Sequence, residues 1–220
     1  MKRKIVITAD GSSSIFIPEL DESYHSMHGA IQEANHVFIN NGLAHIESEK
    51  VRVFELGYGT GLNAILTLAY GLQNGMEIQY DAIDAHPVEN KLIEQLNYID
   101  LIEGDYKSEF DRLHYSEWDE NIEIMNHFNL QKIHCRIQDH NFGEKRYNII
   151  YFDAFGPRAQ PDMWLPEVLN KMYQALIKGG ALLTYCAQGQ FRRNLRSIGF
   201  KVEILKGPPG KREMTRAIRL

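Results

Sequence analysis

Cysteine is scarce in this sequence. Only Cys135 and Cys186 occur, each in a strand-like stretch, so a disulfide framework is not expected and buried free thiols in a reducing cytoplasm are. No apolar run approaches the roughly 20 residues that cross a membrane. The opening MKRKIVITADG has basic residues but only a three-residue apolar stretch, and a signal peptide is not expected. The nine histidines are scattered. His25, His28 and His36 have no cysteine pair or H-E-x-x-H spacing beside them, so no metal is expected. Repeats, low-complexity runs and linkers are missing, and 220 residues suit one α/β unit. The net charge of −5 argues mildly against nucleic acid. Its distribution says more: residues 190–220 carry nine bases and two acids, a net +7 against −12 for the rest. Such a basic end either holds phosphates or is a solvated surface.

What is present is organised around Val51 to Leu66, VRVFELGYGTGLNAIL. Val51 to Phe54 reads as a buried strand, Gly57, Gly59 and Gly61 as a turn, and the apolar residues from Leu62 onward recur at helical spacing. Glycines permit positive φ and close approach of a ligand to the backbone, and a new helix offers free N–H groups. A dinucleotide fingerprint would need glycine at Leu62. A pyrophosphate would not sit beside an acid such as Glu55. The pattern E-x-G-x-G-x-G suits a cationic ligand instead, and it resembles the first motif of class I methyltransferases, which use S-adenosylmethionine.

Around this unit the chain alternates strands and helices. Residues 1–18 read as a hairpin turning at Asp10-Gly11-Ser12, and residues 21–46 as a lead-in with a helical face stopped by Asn41-Gly42. Within it Tyr24, Ser26 and His28 offer polar groups to a cofactor pocket, a core or a cap. Glu77–Ile83 is a second strand, and Asp84 at its end is placed to accept two ribose hydroxyls. Pro87 starts a helix through Leu96. Residues 98–130 read as mostly helical, an insertion or cap. Ile133–Ile137 is a third strand, with Asp139 just beyond it for an adenine amine. Tyr147–Phe152 is a fourth, ending at Asp153. Leu165–Ile177 is a helix stopped at Lys178-Gly179-Gly180, Ala181–Tyr185 a strand, Phe191–Ile198 a basic helix. Two final strands, Lys201–Leu205 and Met214–Leu220, flank the loop GPPGKRE. The expected fold is therefore α/β and Rossmann-like: a mostly parallel sheet with an antiparallel edge strand and a small N-terminal hairpin and helix extension over residues 1–50 packed on a core of residues 51–220. Glu55, Asp84, Asp139 and Asp153 all fall at carboxyl ends of strands, where such sheets bind ligands.

Methyl transfer from a sulfonium needs an aligned, neutral nucleophile and a dry site. A carboxylate such as Asp153 can orient an amine or take its proton; its other use is as a cap for the following loop. Phe155 can stack on a substrate ring, and Pro157 stiffens the turn. YFDAFGPRAQPDMW (Tyr151 to Trp164), FELGYGTGLN (Phe54 to Asn63), GQFRRNLRSIGF (Gly189 to Phe200), KGPPGKREM (Lys206 to Met214) and YHSMHGAIQEANHVF (Tyr24 to Phe38) together resemble the methyltransferase half of the bifunctional family that completes 5-methylaminomethyl-2-thiouridine at the tRNA wobble position. The resemblance covers the chain from about residue 16 onward. It implies S-adenosylmethionine as cofactor, held by Glu55, Gly57, Tyr58, Gly59, Thr60, Gly61, Asn63, Asp84 and Asp139. It implies Asp153 as the catalytic residue. Substrate contacts would come from Phe155, Pro157, Trp164, Arg192, Arg193, Lys211, Arg212 and Glu213, the bases meeting phosphates of the tRNA anticodon arm. Charge reversal at Arg192 and Arg193 is then expected to weaken tRNA binding.

In two respects the sequence departs from that family. No oxidase segment follows Leu220, so a stand-alone methyltransferase without FAD is expected, its aminomethyl substrate supplied by a separate oxidase or other route. Asp84 stands where the family would have glutamate. Three other readings remain open: a small-molecule amine methyltransferase, a non-catalytic nucleic-acid-binding module, and a nicotinamide oxidoreductase, the last disfavoured by Leu62.

Overall fold

Strand, turn and helix signals along the chain resolve into two sheets in the computed structural model, which describes residues 2–143 and 146–220. The N-terminal strands β1 (Lys4–Ile7), β2 (Ser13–Ile17) and β3 (Glu22–Ser23) form a small antiparallel sheet. Helix α1 (Ala30–Ala34) runs into a π-helical segment, Asn35–Asn40. Then follow β4 (Lys50–Leu56), α2 (Leu62–Gln73), β5 (Glu77–Ile83), α3 (Asn90–Ile93), α4 (Tyr98–Leu101) and α5 (Lys107–Tyr115). The second half holds β6 (Asn121–Met125), β7 (Phe128–Ile133), β8 (Tyr147–Phe152), α6 (Pro166–Ala175), β9 (Leu176–Thr184), α7 (Gly189–Ile198), β10 (Phe200–Lys206) and β11 (Glu213–Arg219). Eight strands form the main sheet in the order β10-β11-β9-β8-β4-β5-β7-β6.

Successive side chains of a strand face opposite layers, and this builds two cores. Ile149 and Tyr151 of β8 join Phe38, Leu62 and Leu113 on one face of the sheet. Ile150 and Phe152 join Leu169 and Leu195, from α6 and α7, on the other. A strand buried on both faces explains the apolar run Ile149 to Phe152. The N-terminal lead-in shares the first core: the Phe38 ring lies 4.9 Å from that of Tyr151.

The region 98–130 is not a helical insertion. Its helices α4 and α5 are short, and residues 121–133 form the hairpin β6–β7 at the sheet edge. The sequence NIEIMNHFNLQKI alternates apolar and polar residues with period two, and His127, at φ 68°, turns the chain. That alternation marks strands and outweighs the helical reading of this region. The third parallel strand is accordingly β7, and residues 134–140 form the loop after it rather than a strand. Helix α6 ends at Ala175, and Lys178-Gly179-Gly180 lies in an irregularity of β9, where the pairing with β8 shifts register between Tyr147 and Ile149. The antiparallel members are β11, inserted between β9 and β10, and β6 at the opposite edge. The reversed strand of the final hairpin is thus one place in from the edge.

Candidate active site

Strand β4 stands between β5 and β8 and is parallel to both. At its carboxyl end the chain must leave the sheet, and the glycine turn does so under the end of β8. Gly57 has φ +94°, and a Cβ there would lie 3.0 Å from the Asp153 carbonyl oxygen. Only glycine allows that approach without strain. Gly61 ends the turn at φ +69°, with the ring of His114 2.8 Å from where a Cβ would be.

Above the turn lies a cleft of about 530 Å³ lined by Glu55, Asn63, Asp84, Gln138, Asp153 and Phe155 together with the turn itself. Glu55 is 1% exposed. Its Oε2 accepts from the Tyr80 hydroxyl at 2.9 Å and its Oε1 from Asn63 Nδ2 at 2.8 Å. The same Asn63 Nδ2 donates to Asp153 Oδ2 at 2.8 Å. One carboxamide therefore bridges two acids. Burial, then the Asp153 charge, hold the Glu55 carboxyl well above its usual range. Burial, then Glu33, push Asp153 up to about 7, against the opposing effects of Asn63 and Lys211. A pocket whose carboxylates repel one another favours an incoming cation.

Asp84, at the end of β5, accepts from the backbone N–H of Gly59 at 3.0 Å and of His86 at 2.7 Å. An ionised carboxylate has about four lone-pair sites, so both oxygens keep capacity for two adjacent hydroxyls. Thr60 and Tyr58 are buried. The Thr60 hydroxyl accepts from Tyr98 and the Tyr58 hydroxyl donates to the Leu113 carbonyl, so both fix the turn while lining the cleft. Phe155 lines the cleft, edge-on to Tyr24 at 5.0 Å.

Other expected site residues lie elsewhere. Asp139 is exposed and outside the cleft lining; its neighbour Gln138 faces in. Trp164 is core, packed edge to face on Phe152, its indole N–H donating to the Phe155 carbonyl at 2.9 Å. It supports the loop that carries Phe155 from behind. Arg192 is 6% exposed and donates to Thr215 Oγ1, Glu213 and the Met214 carbonyl. It ties α7 to β11 and is not a free phosphate ligand, and Glu213 is its partner. Pro157, Lys211 and Arg212 line a second, open cleft with Arg158 and Tyr185. Lys211 is ion-paired to Glu33 and sits 3.9 Å over the Tyr185 ring, whose hydroxyl donates to the Ala154 carbonyl at 2.8 Å. Arg193 is exposed.

The sequence reading missed contributors without a motif. Arg3 reaches the Pro87 and His86 carbonyls and lines the cleft. His25 also lines it, its Nε2 3.3 Å from Thr60 Oγ1, and burial depresses it to about 4, so it is neutral near pH 7. Only its place in the lead-in motif could have signalled it. Among the described residues no group of three His, Cys, Asp or Glu side chains is arranged to hold a metal.

Two buried polar atoms have no partner among the described residues, Asn63 Oδ1 and Gln138 Oε1. Both belong to cleft-lining residues. Buried acceptors left open are costly unless a donor arrives, and S-adenosylmethionine brings amine donors, ribose hydroxyls and a cationic sulfur. The residues present fit that molecule. Residues 101–219 match the family described as S-adenosyl-L-methionine-dependent methyltransferase, and the chain belongs to that family. Among its relatives is the tRNA 5-methylaminomethyl-2-thiouridine biosynthesis bifunctional protein MnmC of Pseudoalteromonas atlantica, 28% identical over 97% of this chain and 33% of that protein. The MnmC of Cupriavidus necator is 26% identical over 96% of this chain and 33% of its own length. The chain thus spans about a third of these bifunctional relatives. The crystal structure of MNMC2 from Aquifex aeolicus superposes with a TM-score of 0.76 at 21% identity, covering 99% of this chain and 70% of that one, and shares the fold. No described helix is long and apolar enough to cross a membrane.

Proposed function

We propose that this chain methylates the primary amine of 5-aminomethyluridine, or its 2-thio form, at the tRNA wobble position, giving 5-methylaminomethyluridine, and that it does so in the cytoplasm. The observation that carries the reading is the Glu55–Asn63–Asp153 bridge, which sets a base of raised proton affinity beside a pocket suited to a cation. The MnmC relatives, named for tRNA 5-methylaminomethyl-2-thiouridine biosynthesis, supply the substrate class.

An alkylammonium titrates near the lysine value, about 10, so the acceptor arrives protonated and must lose a proton before it can attack. Asp153, at about 7, accepts that proton on its carboxylate at neutral pH. Asn63 holds Asp153 in place through its Oδ2. S-adenosylmethionine, when bound, supplies a methyl group on cationic sulfur. The glycine turn with Glu55, Asn63 and Asp84 would hold the cofactor, and the neutral amine beside Asp153 would take the methyl group. Phe155 and Tyr24 wall the site against water, and Gln160 Oε1, accepting from the Phe155 N–H at 3.1 Å, fixes that wall.

Methylation is expected on tRNA carrying aminomethyluridine. Nucleoside mass spectrometry should show a gain of one methyl, dependent on enzyme and S-adenosylmethionine. No gain on that tRNA, with methylation of free amines, would transfer the assignment to a small-molecule amine methyltransferase. One observation favours this second reading. Of the nine C-terminal bases, Arg192, Lys201, Lys211 and Arg216 are in ion pairs and Arg219 is bound to carbonyls. Exposed Arg193 and Arg212 form no ion pair among the described residues, so they are the RNA test. Reversing both to glutamate should weaken tRNA binding and flatten its log–log salt slope by about 1 for every phosphate they neutralise. A slope unchanged across several salt concentrations would rule out an approach of these two side chains to the phosphates.

A further inference from the structure

A lysine in α6 holds the loop that closes the far end of the cofactor cleft. Lys171 Nζ donates to the carbonyl oxygens of Ile137 at 3.1 Å, His140 at 2.9 Å and Gln138. An ammonium has three donors, and all three go to carbonyls of one loop, within the four-residue run 137–140. Within the loop the N–H groups of Asp139 and His140 both return to the Arg136 carbonyl, at 3.0 and 3.2 Å. The turn is therefore closed from inside and clamped from outside. Ile137, 1% exposed, anchors it in the second core.

The clamp fixes where Gln138 points. Gln138 lines the cleft, and its Oε1 is buried without a partner among the described residues. Position along the sheet indicates what faces it. The β8 end carries Asp153, β4 the glycine turn, β5 Asp84, and β7 this loop. A ligand whose reacting carbon lies by Asp153 and whose ribose lies at Asp84 places its base against the β7 loop. A glutamine carboxamide offers one acceptor and one donor, the complement of adenine's amine and an adjacent ring nitrogen. Asp139, the acid in the same loop, is turned to solvent.

We propose that Lys171 is a positioning residue for cofactor selection: by clamping residues 137–140 it presents the Gln138 carboxamide to the edge of the adenine ring, and so makes the enzyme recognise the exocyclic amine. The inference rests on the cofactor class alone and is independent of the acceptor. Lys171 has no part in the chemistry at Asp153.

The test is calorimetric binding of S-adenosylhomocysteine and of its analogue with purine in place of adenine, lacking only the amine. The wild-type protein should bind the analogue roughly tenfold more weakly, the effect of one buried hydrogen bond. Lys171→Met, which keeps an unbranched side chain of similar length, should weaken S-adenosylhomocysteine by about the same factor and leave the analogue nearly unaffected, so that discrimination collapses. Gln138→Met should do the same without touching the clamp, and it covers the case in which the lysine variant folds poorly. Equal weakening of both ligands in Lys171→Met would reduce the lysine to a structural prop and overturn the proposal. Discrimination retained in Gln138→Met would overturn it as well. Loss of tRNA methylation with these binding results intact would bear on the acceptor reading only.

Discussion

Asp153→Asn should lower the methyl-transfer rate by about 10²–10⁴-fold, the usual contribution of a positioned base, while S-adenosylhomocysteine should bind within a few-fold of wild type. Asparagine preserves the distance to Asn63 but cannot take a proton. In the wild-type enzyme kcat/KM should rise with pH and level off near 7, because on the proposed role the carboxylate is the working form and burial with Glu33 raises its proton affinity. Stability follows the opposite course. Asp153 binds its proton more tightly folded, at about 7, than unfolded, about 3.9. Between those values the folded state holds more protons, so stability falls as pH rises through the window and is constant above it. The asparagine variant escapes this penalty. Its Tm should exceed wild type at pH 8 and converge with it toward pH 4. Full single-turnover activity, or a Tm difference independent of pH, would refute the assignment.

The second large effect lies in the basic C-terminal part. Arg192→Ala should cost about 2–4 kcal/mol, because Thr215 Oγ1 and the Met214 carbonyl lose a buried donor and Glu213 loses its ion pair. At this chain length that is a fall in Tm of roughly 5–15 °C. Arg193→Ala, one residue away and exposed, should change stability by less than about 0.5 kcal/mol. Paired charge reversal at these two positions would therefore unfold α7 from β11 and mimic a loss of tRNA binding. Denaturation curves for the two alanine variants decide it, and equal stability would show that Arg192 is not the tie described.

This contrast shows what was legible in the sequence. The strand–glycine–helix unit and the acids at strand ends report local geometry, because a parallel strand can release its chain only at its carboxyl end. Glu55, Asp84 and Asp153 could be placed from that rule. Burial of a charged residue is a different matter. Arg192 and Arg193 are adjacent on a helix and chemically alike, and only the packing of α7 against β11 separates them. Asp139 and Gln138 differ in the same way: the turn clamped by Lys171, 31 to 34 residues away in sequence, decides which one faces the ligand. The hairpin β6–β7 was readable, since its period-two alternation is present, but it adjoins the short helices α4 and α5 and reads with them as one helical region. Arg3 and His25 flank the strands of a small separate sheet whose docking no local pattern encodes.

Asn63 has a consequence for the order of events. With one amide serving both Glu55 and Asp153, the two acids act as a single reservoir of charge and protons. A positive charge arriving on the Glu55 side draws the reservoir toward its ionised form, which is the form Asp153 needs to relieve an ammonium of its proton. Methyl transfer would move that positive charge from sulfur to the new secondary amine, which would depart as an ammonium and leave on the acids the proton they took. On the proposed role of Asp153 the donor is therefore expected to bind before the amine, and the proton to return to solvent as the products are exchanged.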